Sequence, residues 1–281
     1  NGGDGEEQKP KKRRKLPGMA LLVLTLVVVL GVVLVAAYRD GTGFDVLRRY
    51  FSYSREEKAS GDAGYDYDAS SSNRFAALGD TLVVLSDTSL KLLGQGGEEL
   101  WSANVQMKAP ALATGGGRAV AYDVGGRELY VLDEKGEVAS FEMNEEEPRS
   151  AATLNGKGWL AVTAEKQNYK ACVSVYNAKM EKVFDFNSSR RFVSDACVTD
   201  DCAYLAAVTL GQEDGTFVSN IVLYDLTQTE PVANYSVRDG LVTSITQQSG
   251  KLVTVSDNKL TIADTAGQIA GEYSYGGAYL R

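Results

Sequence analysis

The side chains able to do chemistry in this sequence are carboxylates and thiols, because its 281 residues include no histidine. Histidine is the commonest general base and the commonest zinc ligand, so its absence argues against both kinds of site. It also excludes an ordinary Ser-His-Asp triad, and the sequence has no G-x-S-x-G elbow. We therefore predict no catalytic, cofactor-binding or metal-binding residue and no cofactor.

Pairs of carboxylates are the remaining route to catalysis, since two at a suitable separation cleave glycosidic bonds. The chain has 37 acidic residues, 3 of them before residue 19, which leaves 34 beyond it. Most of these fall in turn-like segments, where a solvated surface position is the simpler interpretation, for example Asp133, Glu134, Asp200, Asp201, Glu213 and Asp214. The stretch LNGKGWL (154–160) predicts a hairpin turn, because a phosphate loop needs Ser or Thr after the lysine and a helix behind it.

Two of the three cysteines, Cys197 and Cys202, are candidates for a disulfide. If residues 198–201 form a hairpin loop, the two thiols face each other across the strands and bond in an oxidising exterior. In the alternative, one of them faces the core and stays free. Cys172 is expected to pack as a small apolar side chain.

A membrane-spanning helix is predicted from Met19 to Tyr38. These twenty residues carry no charge and, as a helix, span roughly 30 Å, the thickness of a hydrocarbon core. Six basic residues precede the span and form a topology signal: Lys9, Lys11, Lys12, Arg13, Arg14 and Lys15. By the positive-inside rule, residues 1–18 are a cytoplasmic tail. The chain is then a single-pass cell-membrane protein with an extracytoplasmic C-terminal part.

Two alternatives compete with this membrane anchor. A cleaved signal peptide would find small residues at LVAAY (34–38), but its apolar core is ordinarily only about 7–15 residues long. The basic run also fits a nuclear address, yet directly before an apolar span a topology signal is the simpler interpretation.

Residues 39–74 form a connecting segment of different composition. Phe44, Leu47 and Phe51 have the spacing of a short amphipathic helix, which would rest either on the lipid headgroups or on the following domain. The stretch ASGDAGYDYDASSSN (59–73) then predicts a flexible linker.

Charge is distributed unevenly along the chain. The net charge is −8, and residues 1–18 contribute +3 from six basic and three acidic side chains. The span contributes none, so the remainder carries −11. Because an acidic domain repels nucleic acid and anionic headgroups, we predict no nucleic-acid partner and membrane lipid contact through the N-terminal helix.

An all-β domain is predicted from residue 75 to 281, where short apolar runs alternate with Gly, Asp and Asn clusters. Five stretches resemble one another: SLKLLGQGGEELWSA (89–103), ELYVLDEKGEVASFE (128–142), VSVYNAKMEKVFDF (173–186), IVLYDLTQTEPVANYS (221–236) and LTIADTAGQIAGEYS (260–274). Each combines an apolar strand, a turn, and a strand that ends near an aromatic residue. The turn residues are spaced by 39, 44, 48 and 39 positions: Gly94, Asp133, Asn177, Asp225 and Asp264.

A second pair of strands lies between successive copies, so each repeat holds four strands in about forty residues. That period predicts a β-propeller. The expected blades are 75–110, 111–150, 151–191, 192–240 and 241–281. The widest spacing contains LGQEDGTF (210–217), which we interpret as a loop insertion in the fourth blade. Five blades could close into a ring by themselves. Because GGAYLR (276–281) has the pattern of another first strand, we favour an incomplete ring with 7–8 blades in the full domain.

The second repeat, with VLDEKGEV (131–138), is similar to the quinoprotein-type propeller repeat, although only Trp101 keeps that repeat's closing Trp. The whole layout resembles a bacterial membrane-anchored family of unknown function (domain of unknown function 5711) with a divergent, WD-like propeller. The stretches that carry this resemblance are FDVLRRYFSY (44–53), FAALGDTLVVLS (75–86) and YLAAVTLGQEDGTFVSNIVLYDL (204–226). The resemblance implies a fold and a location, and no catalytic residue.

These observations favour a membrane-tethered interaction scaffold or sensor that works with other proteins of the cell envelope. A propeller that binds a small molecule or glycan in its axial cavity is the first alternative. A carboxylate-based hydrolase or lyase is the second, so enzyme activity stays open but is not favoured.

Overall fold

The computed structural model describes residues 72–142, 147–213, 215–238 and 240–278, together with Thr25, Leu26, Val28 and Val29, which are helical. The topology signal, most of the predicted span and the segment from 39 to 71 lie outside the described residues. Within the described part of the chain, no helix is long and apolar enough to cross a membrane.

The described residues from Arg74 onward form twenty strands in five antiparallel sheets of four. Each sheet is a meander in which every strand pairs with the next along the chain. The prediction of an all-β fold with five four-stranded blades is confirmed.

The strand bounds, blade by blade, are as follows. Blade 1 consists of β1 (Arg74–Leu78), β2 (Thr81–Leu85), β3 (Ser89–Leu93) and β4 (Glu99–Asn104). Blade 2 consists of β5 (Pro110–Gly115), β6 (Arg118–Asp123), β7 (Glu128–Asp133) and β8 (Gly136–Glu142). Blade 3 consists of β9 (Arg149–Leu154), β10 (Leu160–Lys166), β11 (Tyr169–Tyr176) and β12 (Lys182–Ser188). Blade 4 consists of β13 (Phe192–Val198), β14 (Tyr204–Glu213), β15 (Thr216–Asp225) and β16 (Pro231–Val237). Blade 5 consists of β17 (Val242–Gln248), β18 (Lys251–Ser256), β19 (Lys259–Ala263) and β20 (Ile269–Ser274).

The first strands of successive blades contact one another in chain order, β1 with β5, β5 with β9, β9 with β13 and β13 with β17. The first strand of each blade is therefore the innermost and the fourth the outermost. The blades follow the chain around an axis, as in a propeller.

The core lies between the blades, so the middle strands are apolar on both faces. In β14, Ala206 and Val208 pack toward blade 5, while Leu205 and Ala207 pack toward blade 3. All four side chains have no exposed surface. Burial on both faces explains why LAAV (205–208) is a continuous apolar run and does not alternate apolar with polar residues.

The repeated turn residue has a local physical role. Asp133, Asn177, Asp225 and Asp264 each accept a hydrogen bond through Oδ1 from the backbone N–H two residues later, at 2.8 to 3.0 Å. These are Asx-turns, which stabilise the tight connection between the third and fourth strands. Gly94 holds this position in blade 1, where the Glu98 carboxylate accepts the Gly96 N–H instead.

The face of blade 5 that points away from blade 4 has apolar side chains at the same strand positions as the corresponding face of blade 4. These side chains are less buried in blade 5. The strand registers place Leu260 and Ile262 of β19 where β15 has Ile221 and Leu223. Ile221 and Leu223 have no exposed surface, whereas Leu260 and Ile262 are half-buried. This apolar face is compatible with a further blade, and the expected 7–8 blades stay a prediction.

Matched alanine substitutions test how far this face is covered. We expect Leu223→Ala to lower the free energy of unfolding by about 2–5 kcal/mol, because it opens a cavity between two blades. Ile262→Ala, at the equivalent position, should cost roughly 1 kcal/mol, since its neighbours leave part of it in contact with water. Chemical denaturation of the purified variants measures both values. Equal losses would mean that the outer face of blade 5 is covered in the folded protein.

Candidate functional site

The turn carboxylates that the sequence offers as catalytic candidates are engaged by the local backbone. Asp201 accepts hydrogen bonds from the Thr199 hydroxyl at 2.5 Å and from the Ala203 N–H at 3.0 Å. The Thr199 hydroxyl is the main reason that the pKa of Asp201 is lowered. Asp200 accepts the Gly156 N–H of the neighbouring blade at 3.1 Å. Among the described residues, no group of three or more Cys, Asp or Glu side chains could hold a metal ion.

One carboxylate that sequence reasoning missed is buried between the inner strands of blades 4 and 5. Asp195 is 7% exposed and accepts the N–H of Ile245 at 3.0 Å and of Ala196 at 2.9 Å. Burial raises its pKa to about 6, and the two backbone hydrogen bonds oppose that rise only in part. The signal in the sequence was a lone Asp inside the apolar strand FVSDACV. Asp195 ties two blades together and is closed to a substrate.

The raised pKa of Asp195 gives the fold a definite pH dependence. Its folded pKa of about 6 exceeds the ordinary Asp value of 3.8, so the folded state binds the proton more tightly. The contribution of this group to stability is therefore largest below pH 3.8. It is lost as the pH rises through 6, by at most roughly 3 kcal/mol.

Asp195→Asn should abolish that pH dependence, which denaturation curves between pH 4 and pH 7 measure. Asp201→Asn is the control, because the pKa of Asp201 is lowered from 3.8, so its titration lies below the pH range measured and the pH profile should keep its slope. An unchanged pH profile in Asp195→Asn would contradict the assignment.

The structure describes Cys172, Cys197 and Cys202 as free thiols, so the disulfide considered from the sequence is not formed in it. Cys197 pairs with Ala206 across the hairpin, whereas Cys202 lies in the turn with a φ of 62°. Cys197 packs toward blade 5, while the Cys202 Sγ accepts a hydrogen bond from Asn155 of blade 3 at 3.4 Å. The turn runs from residue 199 to 203, so it begins one residue later and ends two residues later than the 198–201 loop that would set the two thiols opposite each other. Cys202 therefore never faces Cys197.

The rim formed by the turns between first and second strands is occupied by contacts from blade to blade. Asn155 donates to the Thr199 carbonyl at 2.9 Å, and Gln247 accepts the Asp200 N–H. Arg118 Nη1 donates to the carbonyls of Gly158 and Ala178 in the next blade, at 3.2 and 2.7 Å. LNGKGWL lies here as the predicted hairpin turn between β9 and β10. We call this edge the turn rim, and the polar groups of Asn155, Gln247 and Arg118 serve the fold there.

The opposite rim carries the largest irregularity of the domain. The strands β14 and β15 are ten residues long, and they extend past both neighbours. β13 pairs no further than Leu210, and β16 no further than Ser219. The paired residues beyond, 211–213 and 216–218, form a projecting two-stranded ribbon. The predicted loop insertion LGQEDGTF is thus mainly an extension of two strands.

The ribbon carries different chemistry on its two faces. On one face, Glu213 accepts hydrogen bonds from Arg191 at 2.8 Å and from Arg238 at 3.2 Å, and the Arg191 contact is the main cause of its lowered pKa. Gly211 passes so close to Arg191 that a Cβ atom there would lie 2.9 Å from the guanidinium. On the other face, Phe217 pairs with Gln212 and is 68% exposed.

Further aromatic and basic side chains lie on the same rim as the ribbon, near the β10–β11 turn and the β12–β13 connection. Phe192 is 57% exposed, and Lys170 Nζ lies 5.1 Å from its ring centroid. Tyr169 is also exposed, and Lys166 Nζ lies 5.8 Å from its ring centroid. Arg190 is exposed beside them. We call the surface made by these six residues the ribbon rim: Lys166, Tyr169, Lys170, Arg190, Phe192 and Phe217.

The ribbon rim has the composition of a recognition surface. Exposed aromatic rings beside cations supply apolar contact area and charge, and aromatic residues and Arg are enriched among residues that dominate binding energies. Sequence reasoning did not find this surface. Its local signals were the segments KQNYK (166–170) and SRRF (189–192), whose aromatic residues lie next to basic ones.

The family model described as "Family of unknown function (DUF5711)" matches residues 50–274. Because the match covers most of the chain, the protein belongs to this family, as the sequence resemblance predicted. No curated protein matches it.

Solved structures similar to this chain include a β-propeller domain. The β-propeller domain of Myceliophteria thermophila Cps50 (Swd1) has a TM-score of 0.54 and 12% identity, covering 74% of this chain and 73% of that chain. KlHsv2 with loop 6CD replaced by a Gly-Ser linker has a TM-score of 0.53 and 13% identity, covering 74% and 73%. A chain of the mitotic checkpoint complex has a TM-score of 0.52 and 14% identity, covering 76% and 68%. At such identities the likeness concerns the fold alone.

Proposed function

We propose that this protein is a single-pass, membrane-anchored, extracytoplasmic β-propeller that acts as a protein-interaction scaffold or sensor of the cell envelope. The observation that carries the proposal is the ribbon rim, an exposed aromatic and basic surface on a rigid array of blades. The carboxylates of Asp195, Asp200 and Asp201 serve turns and blade contacts. A chain of similar fold belongs to the mitotic checkpoint complex, which is in keeping with a scaffold role.

The proposed location rests on the sequence. The uncharged stretch from Met19 to Tyr38 and the basic cluster before it support an anchor with the propeller outside the cytoplasm. Tethering confines the propeller to the membrane surface, which raises its effective concentration toward a partner anchored in the same membrane.

Thiol labelling tests the location. Cys202 is half-exposed, whereas Cys172 and Cys197 are buried and burial raises the pKa of both thiols. A membrane-impermeant maleimide should therefore label the protein on intact spheroplasts at Cys202 alone. The Cys202→Ser variant should stay unlabelled. Labelling that requires lysis of the cells would place the propeller in the cytoplasm and contradict the proposal.

Cross-linking in living cells tests the scaffold role. With the full-length protein and a lysine-reactive reagent, we expect one or two envelope proteins to be recovered repeatedly under denaturing purification, linked through lysines of the propeller. Mass spectrometry identifies the linked residues. Recovery of self-links alone would count against a scaffold.

A further inference from the structure

We propose that the ribbon rim binds an extended, acidic segment of a partner protein that carries two apolar side chains about four residues apart. This inference rests on the proposed function and specifies the chemistry of the partner. It follows from the charge, the spacing of the exposed rings and the rigidity of this one surface.

The charge of the rim is opposite to that of the domain around it. The part of the chain after the span carries a net charge of −11, yet the rim exposes Lys170 and Arg190 and holds Lys166 beside its aromatic rings. The nearby Glu213 is already matched by two arginines, and Glu165 is the exposed carboxylate next to Lys166. A local positive surface on an acidic domain steers an acidic segment to this place.

The two exposed phenylalanines have a defined separation. Phe192 pairs with Leu210, and Phe217 pairs with Gln212, two residues further along the same face of the sheet. Two strand spacings and two residues of rise place their Cα atoms roughly 12 Å apart. An extended chain covers that distance in about four residues, so a partner segment can set one apolar side chain against each ring.

The ribbon is held in place before any partner arrives. Arg191 and Arg238 each donate a hydrogen bond to the Glu213 carboxylate, on the ribbon face opposite Phe217. This clamp fixes the position of Phe217 and reduces the ordering cost of binding. The clamp residues position the ribbon, and the rim residues make the contact.

The same observations favour a protein segment over an anionic bilayer. The rim supplies three cations, fewer than the 4–8 typical of sites for anionic lipid.

Binding measurements with synthetic peptides test the inference on the full-length protein in detergent. The probes share two Phe residues four positions apart and differ in the residues around them, which are Glu, Lys or Ser. We expect the Glu peptide to bind at least about tenfold more tightly than the Lys peptide, with affinity falling as salt rises. The double variant Lys170→Glu, Phe217→Ser should lose about tenfold in affinity for the Glu peptide.

The control places the same changes elsewhere on the propeller. Lys251→Glu with Tyr273→Ser alters an exposed Lys and a ring that is 69% exposed on blade 5, and should leave peptide affinity unchanged. Phe217→Leu keeps an apolar contact and should retain part of the affinity, which guards against a folding defect in the double variant.

Equal affinity for the three peptides, or equal losses in the test and control variants, would overturn the inference. Binding of phosphatidylglycerol vesicles in place of the Glu peptide would also overturn it, in favour of a lipid surface.

A photo-cross-linking phenylalanine analogue separates this inference from the proposed function. Introduced in cells at position 217, it should capture an envelope protein, whereas at position 273 it should not. Captured protein at 273 but not at 217 would keep the scaffold role and overturn the ribbon rim as its site. Capture at neither position, together with self-links alone from lysine cross-linking, would overturn both.

Discussion

Each blade of this protein is a small sheet with two apolar faces, and neither face can stay in water without a large cost in free energy. Leu205 and Ala207 face one neighbouring blade while Ala206 and Val208 face the other. The blades therefore stabilise one another in series, with each interface shared by two sheets. The half-buried outer face of blade 5 shows what such a face looks like without the cover of a described blade.

Stacking the blades leaves two rims, and the structure uses them differently. The turn rim joins blade to blade through side chains that cap backbone groups, as Asn155 and Arg118 do. These side chains therefore serve the fold. The ribbon rim instead presents rings and cations outward, and the Glu213 clamp helps to hold it in place. This difference between the two rims suits a protein in which the turn rim holds the blades together and the ribbon rim contacts a partner.

Among the described residues, Asp195 and Arg149 are charged side chains buried between blades, and burial shifts the pKa of each in the direction that favours its neutral form. Asp195 has its pKa raised to about 6, and Arg149, which is 1% exposed, has its pKa lowered to about 10. Each joins neighbouring strands, Asp195 through the Ile245 N–H and Arg149 through the Phe141 carbonyl at 3.0 Å. Such groups lower stability relative to apolar residues, but they fix how one blade sits on the next.

The sequence by itself determined the repeat, because its causes are local. An Asx-turn at Asp133 or Asp264 is set by the residue and its next few neighbours, and apolar runs such as LAAV record burial on both faces. The hairpin that holds Cys197 and Cys202 was predicted, but its register was not, since packing against two blades decided where the turn ends.

Only the tertiary structure could decide the candidate site. The candidate site combines residues of three strands: Lys170 of β11, Phe192 of β13 and Phe217 of β15. No local sequence pattern indicates that these side chains lie on the same rim. Their presence on one rim depends on the stacking of blades 3 and 4 and on how far β14 and β15 extend past their neighbours. A recognition surface of this kind depends on distances between strands, whereas the sequence records mainly the order of residues along each one.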